Sequence, residues 1–75
     1  MFRVICSIPL DDNWEATSKE VLRLAGVRSN IMEAGCKNGV THMEHVWLIA
    51  EFIDAVALRK RVETVLGTVV TIREE

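Results

Sequence analysis

The side chains best suited to bind a metal ion are gathered in one short segment near the middle of the chain. They are Glu33, Cys36, His42, Glu44 and His45. Metal ligation requires several such atoms to converge on one point. If the segment is a β-hairpin, Glu33, His42 and Glu44 share one face, whereas Cys36 and His45 share the other. Neither group is a complete ligand set, so we expect a solvated hairpin end and no tightly held metal.

A second candidate site is the loop formed by Asp11, Asp12 and Asn13. Asp and Asn side chains commonly cap helix N-termini, and a negative charge is favourable there. The free N–H groups of the same helix end could instead bind the carboxylate of a small ligand, with these three residues beside it. Helix capping and small-ligand binding both stay open at this point.

No constellation typical of an enzyme is present. Ser7, Ser18 and Ser29 lack the context of a nucleophile elbow, and the four glycines are too scattered for a phosphate-binding loop. Cys6 lies in a predicted strand, where a buried, unreactive thiol is expected. We therefore expect no catalytic residues and no cofactor, although the sequence leaves enzymatic activity undecided.

Composition predicts a single globular domain over residues 1–75. The chain is 49% apolar and 27% charged, which is ordinary for a folded protein. Its net charge of −2 lacks the basic excess of a nucleic-acid-binding protein. No apolar run is long enough to span a bilayer, and no signal peptide is evident. Two cysteines, Cys6 and Cys36, do not make a disulfide framework, so we expect reduced thiols and a cytoplasmic location.

Six structural elements follow from the hydrophobic periodicity and the turn residues. We predict helices over 12–25 and 54–66, the first ended by Gly26, the second capped by Asp54 and ended by Gly67. Strands are predicted over 2–8, 27–34, 40–53 and 68–73. The resulting βαββαβ order predicts a ferredoxin-like α+β fold. This fold is a four-stranded antiparallel sheet of order 4-1-3-2 with both helices on one face.

The pair Asn38-Gly39 predicts a type I′ turn between the second and third strands. This turn sets Cys36 opposite Thr41, Ala34 opposite Met43 and Ile31 opposite Val46. Both faces of the third strand are then largely apolar, and we assigned its two sets of side chains as follows. The set expected under the helices is Val46, Leu48, Ala50 and Phe52. The set expected on the helix-free face, with Ile5 of the first strand, is Met43, His45, Trp47, Ile49 and Glu51.

An apolar patch on a helix-free face is typical of a surface that a partner covers. We therefore predict a homodimer in which Ile5, Met43, His45, Trp47 and Ile49 lie in or beside the interface. The second and fourth strands are exposed sheet edges, which offer a different way to associate.

The layout resembles that of ACT-type regulatory domains over nearly all of the chain. The best stretch is residues 45–74, HVWLIAEFIDAVALRKRVETVLGTVVTIRE, in which an apolar strand, an amphipathic helix, a glycine and a valine-rich strand follow one another. The ACT-like domain at the C-terminus of MgtC-type proteins is similar in layout. The loop before the first helix has no glycine, which ACT domains commonly place there beside an amino-acid ligand.

The resemblance and the apolar face imply a non-catalytic regulatory or sensor module that self-associates and could bind a small molecule. Two alternatives stay open. One is a pure protein-interaction domain, and the other is a small enzyme of the dimeric α+β barrel kind. No nucleic acid and no membrane are expected as partners.

Overall fold

The computed structural model describes all 75 residues, in the order βαββαβ. The strands are β1 (Phe2–Pro9), β2 (Ile31–Lys37), β3 (Val40–Ile49) and β4 (Val69–Glu74), and the helices are α1 (Trp14–Ala25) and α2 (Phe52–Val62). The strands form one antiparallel sheet ordered β2-β3-β1-β4. The predicted ferredoxin-like α+β fold with strand order 4-1-3-2 is thereby confirmed. Neither helix is long and apolar enough to cross a bilayer.

The core lies between one face of the sheet and the two helices. Its sheet side is formed mainly by alternate residues of β1, which are Val4, Cys6 and Ile8. The helices cover them with Val21 and Ala25 of α1 and with Ala55, Leu58 and Val62 of α2. This alternation on β1 and these stripes on the helices agree with the sequence pattern. The opposite face of the sheet carries no helix, and we call it the helix-free face.

The hairpin between β2 and β3 has the predicted turn and register. Asn38 and Gly39 have φ of 53° and 78°, as a type I′ turn requires at both central residues. Ile31 pairs with Val46, and Cys36 pairs with Thr41. β2 nevertheless covers Ile31–Lys37 instead of the predicted 27–34, and β3 begins at Val40 as predicted but ends at Ile49 instead of at residue 53.

The start of α2 and its end differ from the prediction. Glu51, not Asp54, is the N-cap residue, and Asp54 lies in the first helical turn, where its charge favours the positive end of the helix dipole. The helix ends at Val62, so Leu66 is 94% exposed and does not belong to the buried stripe. Gly67 adopts a positive φ of 82° in the turn that leads into β4.

The predicted faces of the third strand are wrong. Cross-strand pairing places Trp47 beside Val4, so its side chain enters the helix-covered core and is only 1% exposed. The same pairing aligns His45 with Cys6 and brings Met43 and Ile49 to the core face, because directly opposed residues share one side of a sheet. The even-numbered residues Val46 and Leu48 therefore belong to the helix-free face.

Candidate functional site

Two pairs of like charges occupy different parts of the helix-free face. Arg3 of β1 is opposite Arg73 of β4, and we call these two residues the basic pair. Glu33 of β2 is opposite Glu44 of β3, and these two form the acidic pair. Like charges directly opposed on neighbouring strands are unfavourable unless other charges compensate them. The face therefore presents charge that local sheet packing does not explain.

Two apolar side chains separate the charged pairs. Ile5 of β1 is opposite Val46 of β3, and we call these two residues the apolar centre. Ile5 is two residues from Arg3 along β1, and Val46 is two residues from Glu44 along β3, so the apolar centre lies between the two pairs. Val46 is 1% exposed because its neighbours shield it, whereas Ile5 is half-buried. The apolar centre, the basic pair and the acidic pair line a concavity of about 420 Å³ together with Glu74 and Glu75.

Each charged pair is only partly neutralised within the chain. Arg3 forms an ion pair with Glu75, in which Nε and Oε1 are 2.6 Å apart. Oε1 of Glu44 lies 3.4 Å from Nε2 of His42. No ion pair within 4 Å joins the basic pair to the acidic pair across the apolar centre.

Arg73 and Glu33 are the members of the two pairs that have no ionic partner at all. Both residues are exposed. One unpaired cation and one unpaired anion thus remain on opposite sides of the apolar centre.

Exposed apolar groups continue along the same face. Leu48, opposite Arg3, is 37% exposed. At the other end of the face, Val40 and Val69 are 66% and 63% exposed, and they border a second concavity of about 330 Å³ together with Ser7, Lys37 and His42. Such groups near a charged surface are typical of an interface that a partner covers.

A polar network lies on the opposite side of the sheet, inside the core. Nε2 of His45 is 2.6 Å from Oγ of Ser18 in α1, and its Nδ1 is 2.9 Å from Oγ of Ser29 in the loop before β2. His45 is 1% exposed, and burial lowers the pKa of its imidazole. Both ring nitrogens are satisfied while the ring stays neutral, because each hydroxyl can donate or accept.

The neighbouring Trp47 anchors the same loop. Its indole N–H donates to the carbonyl of Val27 at 3.2 Å, and its ring centre is 6.0 Å from that of His45. A serine hydroxyl against a histidine is the pairing that activates a nucleophile. Here, however, Ser18 is 8% exposed and lines neither concavity of the helix-free face, so this network holds α1 and the loop to β3.

The loop Asp11, Asp12 and Asn13 forms an exposed turn. α1 begins at Trp14 and not at residue 12, so Asn13 is its N-cap residue, and the Asn13 side chain makes no capping hydrogen bond. Instead, Oδ1 of Asp11 accepts a hydrogen bond from the backbone N–H of Asn13 at 2.9 Å. The turn lies apart from both concavities of the helix-free face, so the structure does not add these three residues to that surface.

The candidate metal ligands divide between the two faces as predicted. Glu33 and Glu44 lie on the helix-free face with His42, whereas His45 is in the core and Cys36 is exposed. No group of three or more His, Cys, Asp or Glu side chains converges on one point.

The two cysteines are free and lie on strands that β3 separates. Because adjacent strands are about 4.8 Å apart, Cys6 and Cys36 lie beyond the roughly 7 Å between Cα atoms that a disulfide can span.

Only one of the five predicted interface residues lies on the helix-free face. Ile5 lies on the helix-free face, but Met43, His45, Trp47 and Ile49 all point into the core of the same chain. Trp47 and His45 are buried there, so neither can supply a contact surface to a second molecule without disrupting the fold.

The two charged pairs were not predicted from the sequence. The signal that could have found them is the alternation of β1, which places Arg3 and Ile5 together on the face opposite Val4 and Cys6. The pairing of β1 with β3 and β4 then adds the other charged residues.

Comparisons with known proteins give no neighbour from which a function could be transferred. No protein-family model matches the chain, and neither a curated protein nor a solved structure matches it.

Proposed function

We propose that this domain is a non-catalytic regulatory module that works by self-association, with the helix-free face as its contact surface. The observation that carries the proposal is the arrangement of that face, where the half-buried Ile5 and the buried Val46 lie between two pairs of like charges that are only partly compensated, and exposed apolar groups lie beside those pairs. The resemblance to ACT-type regulatory domains supports the regulatory part. A cytoplasmic location remains the expectation from the two free cysteines.

The dimensions of the face suit a dimer. The two longer dimensions of the molecule are 34 and 24 Å, so the sheet face offers at most about 800 Å². Each partner contributes about 800 Å² to a standard stable interface, so a dimer of that size would use most of this face. Association would also supplement the small core, because a domain of this length buries a limited apolar surface by itself.

A non-catalytic role is consistent with the placement of the chemically capable groups. The two serine hydroxyls that contact a histidine, those of Ser18 and Ser29, both bind the buried His45 on the core side of the sheet. Burial raises the pKa of the Cys6 thiol to about 11, so it remains protonated and unreactive. The alternative function is the docking of a different protein on the same face, which the exposed Leu48, Val40 and Val69 would also serve.

Sedimentation equilibrium over a wide range of protein concentrations tests the proposal, with Ile5→Ser as the perturbation. The wild type should dimerise, and the variant should dissociate more readily. Losing roughly 1 kcal/mol of apolar burial in each of two copies corresponds to about a 30-fold weaker dimer.

Ile53→Ser is the matched control, because Ile53 is 76% exposed on α2 and lies away from the helix-free face. Thermal melts must show that both variants remain folded. A wild type that stays monomeric at every concentration would refute self-association and leave the docking of another protein.

A further inference from the structure

We infer that the helix-free face recognises a second copy of itself through crossed charge pairing, in which the basic pair of each copy contacts the acidic pair of the other. This inference rests on the proposed self-association and names the contacts that determine it. It follows from where the sheet register places the four charges.

The positions of the charges are reciprocal. The basic pair lies on β1 and β4 on one side of the apolar centre along the strands, and the acidic pair lies on β2 and β3 on the other side. The two pairs therefore occupy opposite corners of the sheet, with the apolar centre of Ile5 and Val46 between them.

Two-fold symmetry converts this arrangement into complementarity. Consider two copies whose helix-free faces are in contact, with a two-fold axis between the sheets. The axis passes over the apolar centre and is perpendicular to the line that joins the basic pair to the acidic pair. Rotation about this axis places the basic pair of one copy over the acidic pair of the other. It sets the arginines of one copy over the glutamates of the other, twice in each dimer, as an isologous interface requires. The strands of the two sheets then cross one another, which is an established mode of sheet packing.

The two charges without an ionic partner also favour a second copy of the chain as the molecule that covers this face. Arg73 and Glu33 have no ionic partner within the chain, and each would obtain one from the second copy. The repulsion within each pair would be offset at the same contact. A partner of a single charge sign would compensate one pair and oppose the other, so the second copy suits the surface better than a purely acidic or purely basic one.

Charge reversal tests the inference directly. Arg3→Glu with Arg73→Glu reverses both charges of the basic pair, and Glu33→Arg with Glu44→Arg reverses both charges of the acidic pair. Each variant alone should form a homodimer that is about 100-fold weaker or more, because four attractive contacts become repulsive. Mixed together, the two variants should form a heterodimer within about tenfold of the wild-type affinity, because both corners are then complementary.

A matched pair of variants separates this pairing from simple attraction between oppositely charged molecules. Each double reversal changes the net charge of −2 by four, to −6 or to +2. Lys19→Glu with Lys60→Glu, and Asp12→Arg with Glu15→Arg, produce the same net charges at exposed positions outside the two charged pairs. Mixing these control variants should not change their association relative to either one alone.

The outcomes distinguish the two proposals. Weaker homodimers of both variants, together with a heterodimer that the control variants do not form, confirm crossed pairing. A wild-type dimer that the corner reversals leave intact refutes crossed pairing but retains self-association. A wild type that is monomeric at all concentrations refutes both.

Discussion

Removing the hydroxyl group of Ser18 is expected to lower the free energy of unfolding substantially, although the change removes only one oxygen atom. Its oxygen is 2.6 Å from Nε2 of His45, and both residues are buried. Ser18→Ala leaves that nitrogen without its partner, which costs about 1–3 kcal/mol. The Ser29 hydroxyl is less buried, so water can replace it and Ser29→Ala should cost less.

Urea denaturation of the single and double variants measures these costs. The control is Ser7→Ala, because the hydroxyl of Ser7 makes no hydrogen bond within the chain and Ser7 lies on the helix-free face. Midpoints should shift while the denaturant slope is unchanged. A cost for Ser18→Ala no greater than that for Ser7→Ala would contradict a structural role for the network.

The same network predicts how stability changes with pH. Burial lowers the pKa of His45, and its cross-strand neighbours Cys6 and Met32 carry no charge at neutral pH. The unfolded state therefore binds a proton more readily than the folded state. Stability is fully present above the unfolded pKa of about 6.5 and is lost as the pH falls from there towards the folded value.

Replacing the imidazole should flatten this dependence. His45→Gln is expected to reduce the change in unfolding free energy between neutral and mildly acidic pH, whatever its effect on absolute stability. His42→Gln, a change at the other histidine, should leave the change in place. An equal slope in wild type and His45→Gln would refute the assignment.

Three further predictions concern the core, the helix junction and the thiols. Trp47→Ala should cost about 3–5 kcal/mol, a large share of the stability of a domain of this size, and thermal melts should show a largely unfolded protein. Arg61 donates from Nε and Nη2 to the last carbonyls of α1 at 3.2 and 3.1 Å, so Arg61→Ala should cost about 1–2 kcal/mol. Lys60→Ala is the control and should change the free energy of unfolding by less than about 0.5 kcal/mol. A larger shift of the urea midpoint for Lys60→Ala than for Arg61→Ala would contradict this prediction. A thiol reagent should label exposed Cys36 quickly in the folded protein and buried Cys6 only after unfolding, which mass spectrometry can verify.

Local signals were sufficient for most of the fold. The Asn38-Gly39 turn defines both the hairpin and its register, because few residue pairs adopt two positive φ angles in succession. Gly26 ends α1 in the left-handed conformation, as predicted. Gly67 was a weaker signal, since α2 ends earlier, at Val62, and six residues lie between its end and the start of β4.

The face of β3 could not be read from its own sequence. Both alternating sets of its residues are largely apolar, so periodicity does not decide which set enters the core. The decision comes from the pairing of β3 with β1, which no hairpin connects and whose register depends on the tertiary structure. That one ambiguity moved Trp47 from the core to the predicted interface.

The candidate site could not be predicted from the sequence for the same reason. Its charged residues come from all four strands, so they are recognisable as two pairs only when the sheet register is known. The network of Ser18, His45 and Ser29 likewise joins a helix, a strand and a loop that are distant in sequence.

The most direct test of the central claim is an isotope-filtered NMR experiment on a mixture of labelled and unlabelled protein at a concentration that favours association. Intermolecular contacts are expected from methyl groups of the helix-free face, above all those of Ile5 and Leu48. These contacts should be absent for Ile53 and Leu66, which are exposed beyond that face. Intermolecular contacts confined to Ile53 and Leu66, or none at all, would contradict self-association through the helix-free face.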